Sequence, residues 1–242
     1  MKMFLAGLST AKEIISDEKP LYALQSFMDG EKAILYSLSI VGNENFLLDS
    51  GAYTFMNSYK GEITKKVIDE YLEKYINFIK KYNIKYFFNL DLDTIVGIEE
   101  TKKLRDLLEK KTNKKCIPVF HKCMGLDTYN KLTKQYDYIA IGTIQDFRKY
   151  PKVIKKMNYI AKQNNCKVHG LGFTPKDVEK YGFYSVDSTS WLSGGRFGQL
   201  IIFDGKGLVK YKKKGCRAKD YKQINKHNLK EYIKYQEYLR RY

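Results

Sequence analysis

The chain has 242 residues, 43% of them hydrophobic, and a net charge of +17 from 44 lysines and arginines against 27 aspartates and glutamates. That apolar content excludes disorder as the main state, and the length suits one compact domain, near the roughly 250 residues of a complete eightfold β/α barrel. A surplus of positive charge this large points to a nucleic-acid partner, with a Lys-, Asn-, Ile- and Tyr-rich AT-biased coding sequence as the alternative source.

Apolar runs at 2–7, 45–49, 85–90, 116–121, 138–142, 167–172, 184–187 and 199–204 read as strands. Between them, helical patterns fall at 64–82, 99–111, 127–135, 152–163 and 175–181, the first with Val67, Ile68, Tyr71, Leu72, Tyr75, Ile76 and Ile79 on one face. Strand and helix alternate, so the predicted fold is α/β, a single (β/α)8 TIM-like barrel over residues 1–205. Residues 11–41 read as two helical stretches broken at Asp29-Gly30, an irregular first crossover. Residues 206–242 read as a basic loop or hairpin followed by a Lys- and Tyr-rich helical tail that either covers one end of the barrel or contacts phosphates.

No run approaches the roughly 18 apolar residues of a membrane span, and the opening Met-Lys-Met-Phe-Leu-Ala-Gly is too short for a signal peptide. A cytoplasmic protein without membrane contact is expected. Cys116, Cys123, Cys166 and Cys216 form no C-x-x-C pair, which predicts free thiols rather than a disulfide framework or zinc ribbon.

In a parallel barrel the reacting groups belong at the carboxyl ends of the strands. Asp49, Asp91, Asp93, His121, Gly142, Gly170, Gly172 and Asp187 all fall there. Asp49 precedes Ser50-Gly51, where a tight turn lets a planar ligand approach, or alternatively caps the next helix. Asn89, Asp91 and Asp93 alternate onto one face, suited to a divalent metal or to the N–H edge of a purine-like ring. His121 reads equally as a packed or a catalytic histidine. Asp187 is followed by small hydroxyl residues, Trp191, Gly194, Gly195 and Arg196, a set fit for attack at an anomeric carbon beside a nucleic-acid backbone.

These residues resemble the tRNA-guanine transglycosylase superfamily, most closely its phage branch of DNA-modifying 7-deazaguanine transglycosylases (DpdA). Asp49-Ser50-Gly51-Ala52-Tyr53 resembles the D-S-G-[GA]-F motif, and Phe88-Asn89-Leu90-Asp91 the strand whose aspartate recognises the base, with Asp93 competing for that role. Ile139-Ala140-Ile141-Gly142 and Val168-His169-Gly170-Leu171-Gly172-Phe173-Thr174 resemble two later strand ends, and Asp187 with Arg196 resembles the D-x-x-x-P-T-R-x-G-R nucleophile motif. The Pro-Thr-Arg portion and the C-x-C-x-x-C zinc site of the tRNA enzymes are absent, so no structural zinc of that type is expected.

The resemblance implies a DNA-guanine transglycosylase that exchanges guanine for a free 7-deazaguanine base such as 7-cyano-7-deazaguanine. Asp187 is then the nucleophile, Asp49 the general acid/base, and no redox cofactor or catalytic metal takes part. Ser50, Gly51, Asp91, Asp93, His121, Gly142, Gly170 and Gly172 would hold the base. Gly194, Gly195, Arg196 and a stacking Trp191, Tyr53 or Phe173 would hold the polymer, which the 206–217 loop would follow. A homodimer is the assembly that the tRNA enzymes suggest. The alternatives are the same exchange on tRNA, a metal-dependent hydrolase using Asp49, Asp91, Asp93 and His121, or a non-catalytic nucleic-acid-binding barrel.

Overall fold

The computed structural model describes residues 1–15, 19–142, 149–212 and 220–242. Cys216 and the 213–217 part of the basic loop, singled out in the sequence, lie outside the described residues. The strands are β1 (Lys2–Ala6), β2 (Ala23–Ser26), β3 (Phe46–Asp49), β4 (Val119–Phe120), β5 (Tyr138–Ile141), β6 (Lys167–Gly170), β7 (Ser185–Ser188), β8 (Gln199–Phe203) and β9 (Leu208–Lys212). β1 to β7 form one all-parallel sheet, in the order β3-β2-β1-β7-β6-β5-β4.

The helices are α1 (Glu31–Val41), α2 (Ala52–Ser58), α3 (Lys65–Lys81), α4 (Asp93–Thr112), α5 (Gly125–Gln135), α6 (Pro151–Gln163), α7 (Ser193–Phe197) and α8 (Tyr221–Leu239). α1 to α6 are the crossovers that parallel neighbours require. α4 starts at Asp93, earlier than its periodicity suggests, and breaks at Gly97, whose φ of 80° lies outside helical geometry.

The sheet curls until its two edge strands flank residues 86–89. Leu48 pairs with Phe87 and Phe88 with Ile117 as single parallel bridges. The bonds are Leu48 N to Tyr86 O and Phe88 N to Leu48 O, both at 3.0 Å, on one side, and Ile117 N to Phe87 O at 2.8 Å and Asn89 N to Ile117 O at 3.2 Å on the other. No longer ladder forms here, because the Asn89 side chain itself accepts the Val119 N–H at 2.8 Å. The 85–90 run thus links the edges without becoming a strand.

Two further expectations need correction. Residues 199–204 do not join the parallel sheet: β8 pairs antiparallel with β9, because Asp204 Oδ1 accepts the N–H groups of Lys206 and Gly207 and turns the chain back at once. The place beside β1 is taken by β2, inside the stretch read as helical. Its Gln25 is 1% exposed, and its polarity hides the strand from a hydrophobicity pattern. Ser37 Oγ and Asp29 satisfy that amide.

Alternation sorts the side chains into two layers. Met3, Leu5, Phe46, Leu48, Ile139, Ile141, Val168 and Val186 face the helices, whereas Phe4, Ala6, Leu24, Leu47, Phe88, Val119, Tyr138 and Ala140 fill the concave interior. By the same period, Asp49, His169, Ser185 and Asp187 point inward.

The tail is part of the fold. Gln236 donates to Met3 O (2.7 Å) and Tyr22 O (3.1 Å), and Asn228 accepts Ile201 N (2.8 Å) while donating to Gln199 O (3.0 Å). α8 therefore packs along β1 and the β8–β9 hairpin, with Leu229, Tyr232 and Tyr235 buried, and the 205/206 boundary falls within the hairpin turn. Among the described residues, no helix is long and apolar enough to cross a membrane.

Candidate active site

The carboxyl ends of the parallel strands bring Asp49, Asp91, Asp93, His121, His169 and Asp187 to one mouth. Asp49 ends β3, and its carboxylate takes bonds from the Gly51 backbone and the Ser26 side chain. Gly51 has φ 71°, and a Cβ there would lie 2.7 Å from Met28 Cγ and 2.9 Å from Ser26 Oγ, so glycine is required. Ser50 is buried, its carbonyl held by the Tyr71 hydroxyl at 2.5 Å. Burial, then the charge of Asp187, then that of Asp91 outweigh those bonds and push the Asp49 carboxyl up to about 7.

Asp187 lies on the inner face of β7. Its Oδ1 accepts the Gly172 N–H at 2.7 Å and faces His169 Nε2 at 3.2 Å. Gly172 reaches that position with φ +62°. Oδ2 accepts no hydrogen bond from the described residues.

A second group gathers beside it. His121 Nε2 is 2.6 Å from Asp91 Oδ1 and 3.8 Å from Asp93 Oδ1, and ligand atoms of the three residues lie within 4.8 Å of one another. Burial raises the Asp91 pKa against the pull of His121. Burial opposes charge on His121, but the bond to Asp91 and the charges of both aspartates outweigh it and raise its pKa. Cys123 Sγ sits 3.6 Å from Asp93 Oδ2.

The glycines divide by role. Gly142 donates its N–H to Phe120 O, and a Cβ on it would come within 2.5 Å of His121 Cε1, so it gives the imidazole room rather than an amide to a ligand. Gly170 packs against Phe183 and Phe173, away from the mouth.

The expected polymer contacts are rearranged. Trp191 is 0% exposed and donates its indole N–H to Ala6 O at 2.9 Å, so it cannot stack on a base. Phe173 is equally buried. Gly194 and Gly195 seat α8: a Cβ on Gly194 would lie 2.6 Å from Asn225 Oδ1, which accepts the Gly195 N–H. Tyr53 is 78% exposed just past Asp49, and Arg196 reaches Thr189 Oγ1 near Asp187. His169 and Ser185 were given no role from the sequence. The signal was present, since Ser185 lies two residues before Asp187 and shares its face.

No protein-family model matches the chain, and no curated protein matches it. Among solved structures, it is similar to the carboxyl transferase domain of Rhizobium etli pyruvate carboxylase with 3-bromopyruvate, at TM-score 0.51 and 11% identity, over 98% of this chain. That neighbour is a TIM barrel. This chain's fold is TIM-barrel-like. The match covers 48% of the neighbour, so the chain spans about half its length, and the likeness is one of fold alone. A TIM-barrel-like sheet accounts for why the charged groups converge at its carboxyl end.

Proposed function

We propose that the protein is a transglycosylase that exchanges guanine in DNA for a free 7-deazaguanine base through a covalent Asp187 intermediate. The observation that carries the reading is the pairing of Asp187, its Oδ1 held by two donors, with an Asp49 carboxyl raised to about 7 partly by the Asp187 charge. A nucleophile and a group able to give and take a proton near neutral pH are what base exchange needs. In this reading residues 86–89 complete an eight-membered ring of parallel segments around the mouth.

Asp187 Oδ2 attacks C1′ as the bond from C1′ to guanine N9 breaks, and guanine takes the Asp49 proton. The incoming base returns a proton from its N9 to Asp49 and attacks C1′, breaking the ester to Asp187. Protons balance over the cycle, and two displacements retain configuration. The target nucleotide enters the mouth unstacked. Tyr53 offers an exposed ring for stacking, and the +17 charge attracts the polymer.

The test is incorporation of labelled guanine or 7-cyano-7-deazaguanine into duplex DNA, single-stranded DNA and bulk tRNA. Label in DNA supports the reading, label in tRNA alone replaces the substrate, and label in none of them contradicts it. A second reading is favoured by the Asp91, Asp93 and His121 grouping: a metal-dependent hydrolase in which these three hold a divalent cation that activates water. It requires hydrolytic activity that a chelator abolishes and Mn²⁺ restores.

A further inference from the structure

A buried hydrogen-bonded chain runs from the amino end of the sheet to the mouth. Tyr138 OH is 2.5 Å from Ser185 Oγ, Ser185 Oγ is 2.7 Å from His169 Nδ1, and His169 Nε2 is 3.2 Å from Asp187 Oδ1. His169 and Ser185 are 0% exposed and are direct cross-strand partners of β6 and β7. The imidazole is packed by Phe4 and Phe88, with ring centroids 6.0 and 5.4 Å away. It cannot turn to another partner, and a polar group buried this deeply needs its bonds satisfied where it stands.

With a neutral imidazole the chain has one direction. A carboxylate only accepts, so Nε2 carries the proton, and Nδ1 of the neutral ring accepts from Ser185, whose oxygen accepts from Tyr138. We propose that His169 is a positioning residue for Asp187. Ser185 and Tyr138 hold it in the Nε2–H tautomer, and with the Gly172 N–H it forms a two-donor cradle on Asp187 Oδ1 that leaves Oδ2 to form and break the glycosyl bond. This deepens, and rests on, the transglycosylase reading.

The cradle stabilises negative charge on Asp187. That charge disappears when the ester forms and returns when the ester breaks. The His169 donor therefore favours departure of Asp187 from C1′ in the second displacement, more than attack in the first.

The experiment compares wild type with His169→Leu and His169→Gln in base exchange, with the covalent fraction trapped by acid quench at steady state. The expected result for His169→Leu is a kcat lower by about ten- to a hundredfold, a KM for the polymer that falls with it, and a larger covalent fraction. His169→Gln, whose amide N–H reaches toward Oδ1, recovers a substantial part of kcat. A role confined to packing predicts fewer active molecules with the covalent fraction of those molecules unchanged, and that result overturns the proposal.

A second arm needs no turnover. The chain has only three histidines, so ¹⁵N imidazole shifts in wild type, Ser185→Ala and Asp187→Asn isolate His169. The Nε2–H tautomer in wild type, disturbed in both variants, is the expected result; an Nδ1–H tautomer overturns the chain. A folded wild type that exchanges no base, yet shows the Nε2–H tautomer, overturns the transglycosylase reading and with it the positioning role, leaving only the chain's geometry in place.

Discussion

The mouth holds two histidine–aspartate pairs that face different surroundings. His169 and Asp187 stand on neighbouring strands, the histidine wholly buried and bonded on its far nitrogen to Ser185. His121 and Asp91 follow the less regular wall, where residues 86–89 make only single bridges, and Asp93 and Cys123 crowd the same spot. The first pair has one geometry and leaves one carboxylate oxygen unengaged by the described residues. The second has several acceptors around one imidazole, an arrangement that can take a cation or the N–H edge of a base. Asp187 stands on a strand laddered on both sides, whereas Asp91 follows a segment held by isolated bridges alone.

The comparison breaks most sharply at Asp187. Asp187→Asn is expected to lower exchange by about a thousandfold or more while the protein folds and binds polymer normally, read by label incorporation and circular dichroism. Retained exchange would move the nucleophile to the other wall.

Asp49→Asn comes next, with kcat down by about a hundredfold and the pH dependence near 7 flattened. Stability gives an independent reading with a definite sign. The Asp49 carboxyl rises from an ordinary 3.8 to about 7 in the fold, so its favourable contribution is full below about 4 and is lost as pH rises to about 7. Asp49→Asn escapes that loss. Its unfolding free energy should exceed that of wild type at pH 8, by about 4 kcal/mol at most, and the gap should close at pH 4.

Two smaller effects sharpen the picture of the frame around the mouth. Asn228→Leu leaves Ile201 N and Gln199 O without their partner and should cost about 2 kcal/mol in urea unfolding. Gly51→Ala should cost about 1–3 kcal/mol through its φ of 71° and the contact with Met28. It should also disturb Asp49 more than Asp187.

How much was legible follows the same division. β1, β3 and β5 are short apolar runs stopped at Gly7, Asp49 and Gly142, as in a parallel sheet buried on both faces, whereas β6 and β7 carry polar residues at alternate positions. Asp49 was legible because it ends such a run, and Asp187 because hydroxyl residues and glycines follow it. β2 was hidden by Gln25, whose burial depends on Ser37 and Asp29, contacts that no local pattern records. The 199–204 run has the right composition for a central strand, and only Asp204 and the following glycines reveal the turn that makes it a hairpin arm.

Trp191 was misread for a related reason. A lone tryptophan beside glycines looks like a stacking platform, but its indole is buried and donates to Ala6 O, and the glycines accommodate Asn225. His169 carried no weight in sequence because its meaning depends on Ser185 and Asp187 in the next strand.

The most direct measurement is the covalent state of Asp187. The protein is incubated with a guanine-containing oligonucleotide without incoming base, quenched in acid and digested, and the peptide spanning residues 185–196 is weighed and fragmented. The account predicts a glycosyl adduct on Asp187 that disappears when 7-cyano-7-deazaguanine is added before the quench. Base exchange with no adduct on that peptide, or an adduct on Asp49 instead, would contradict it.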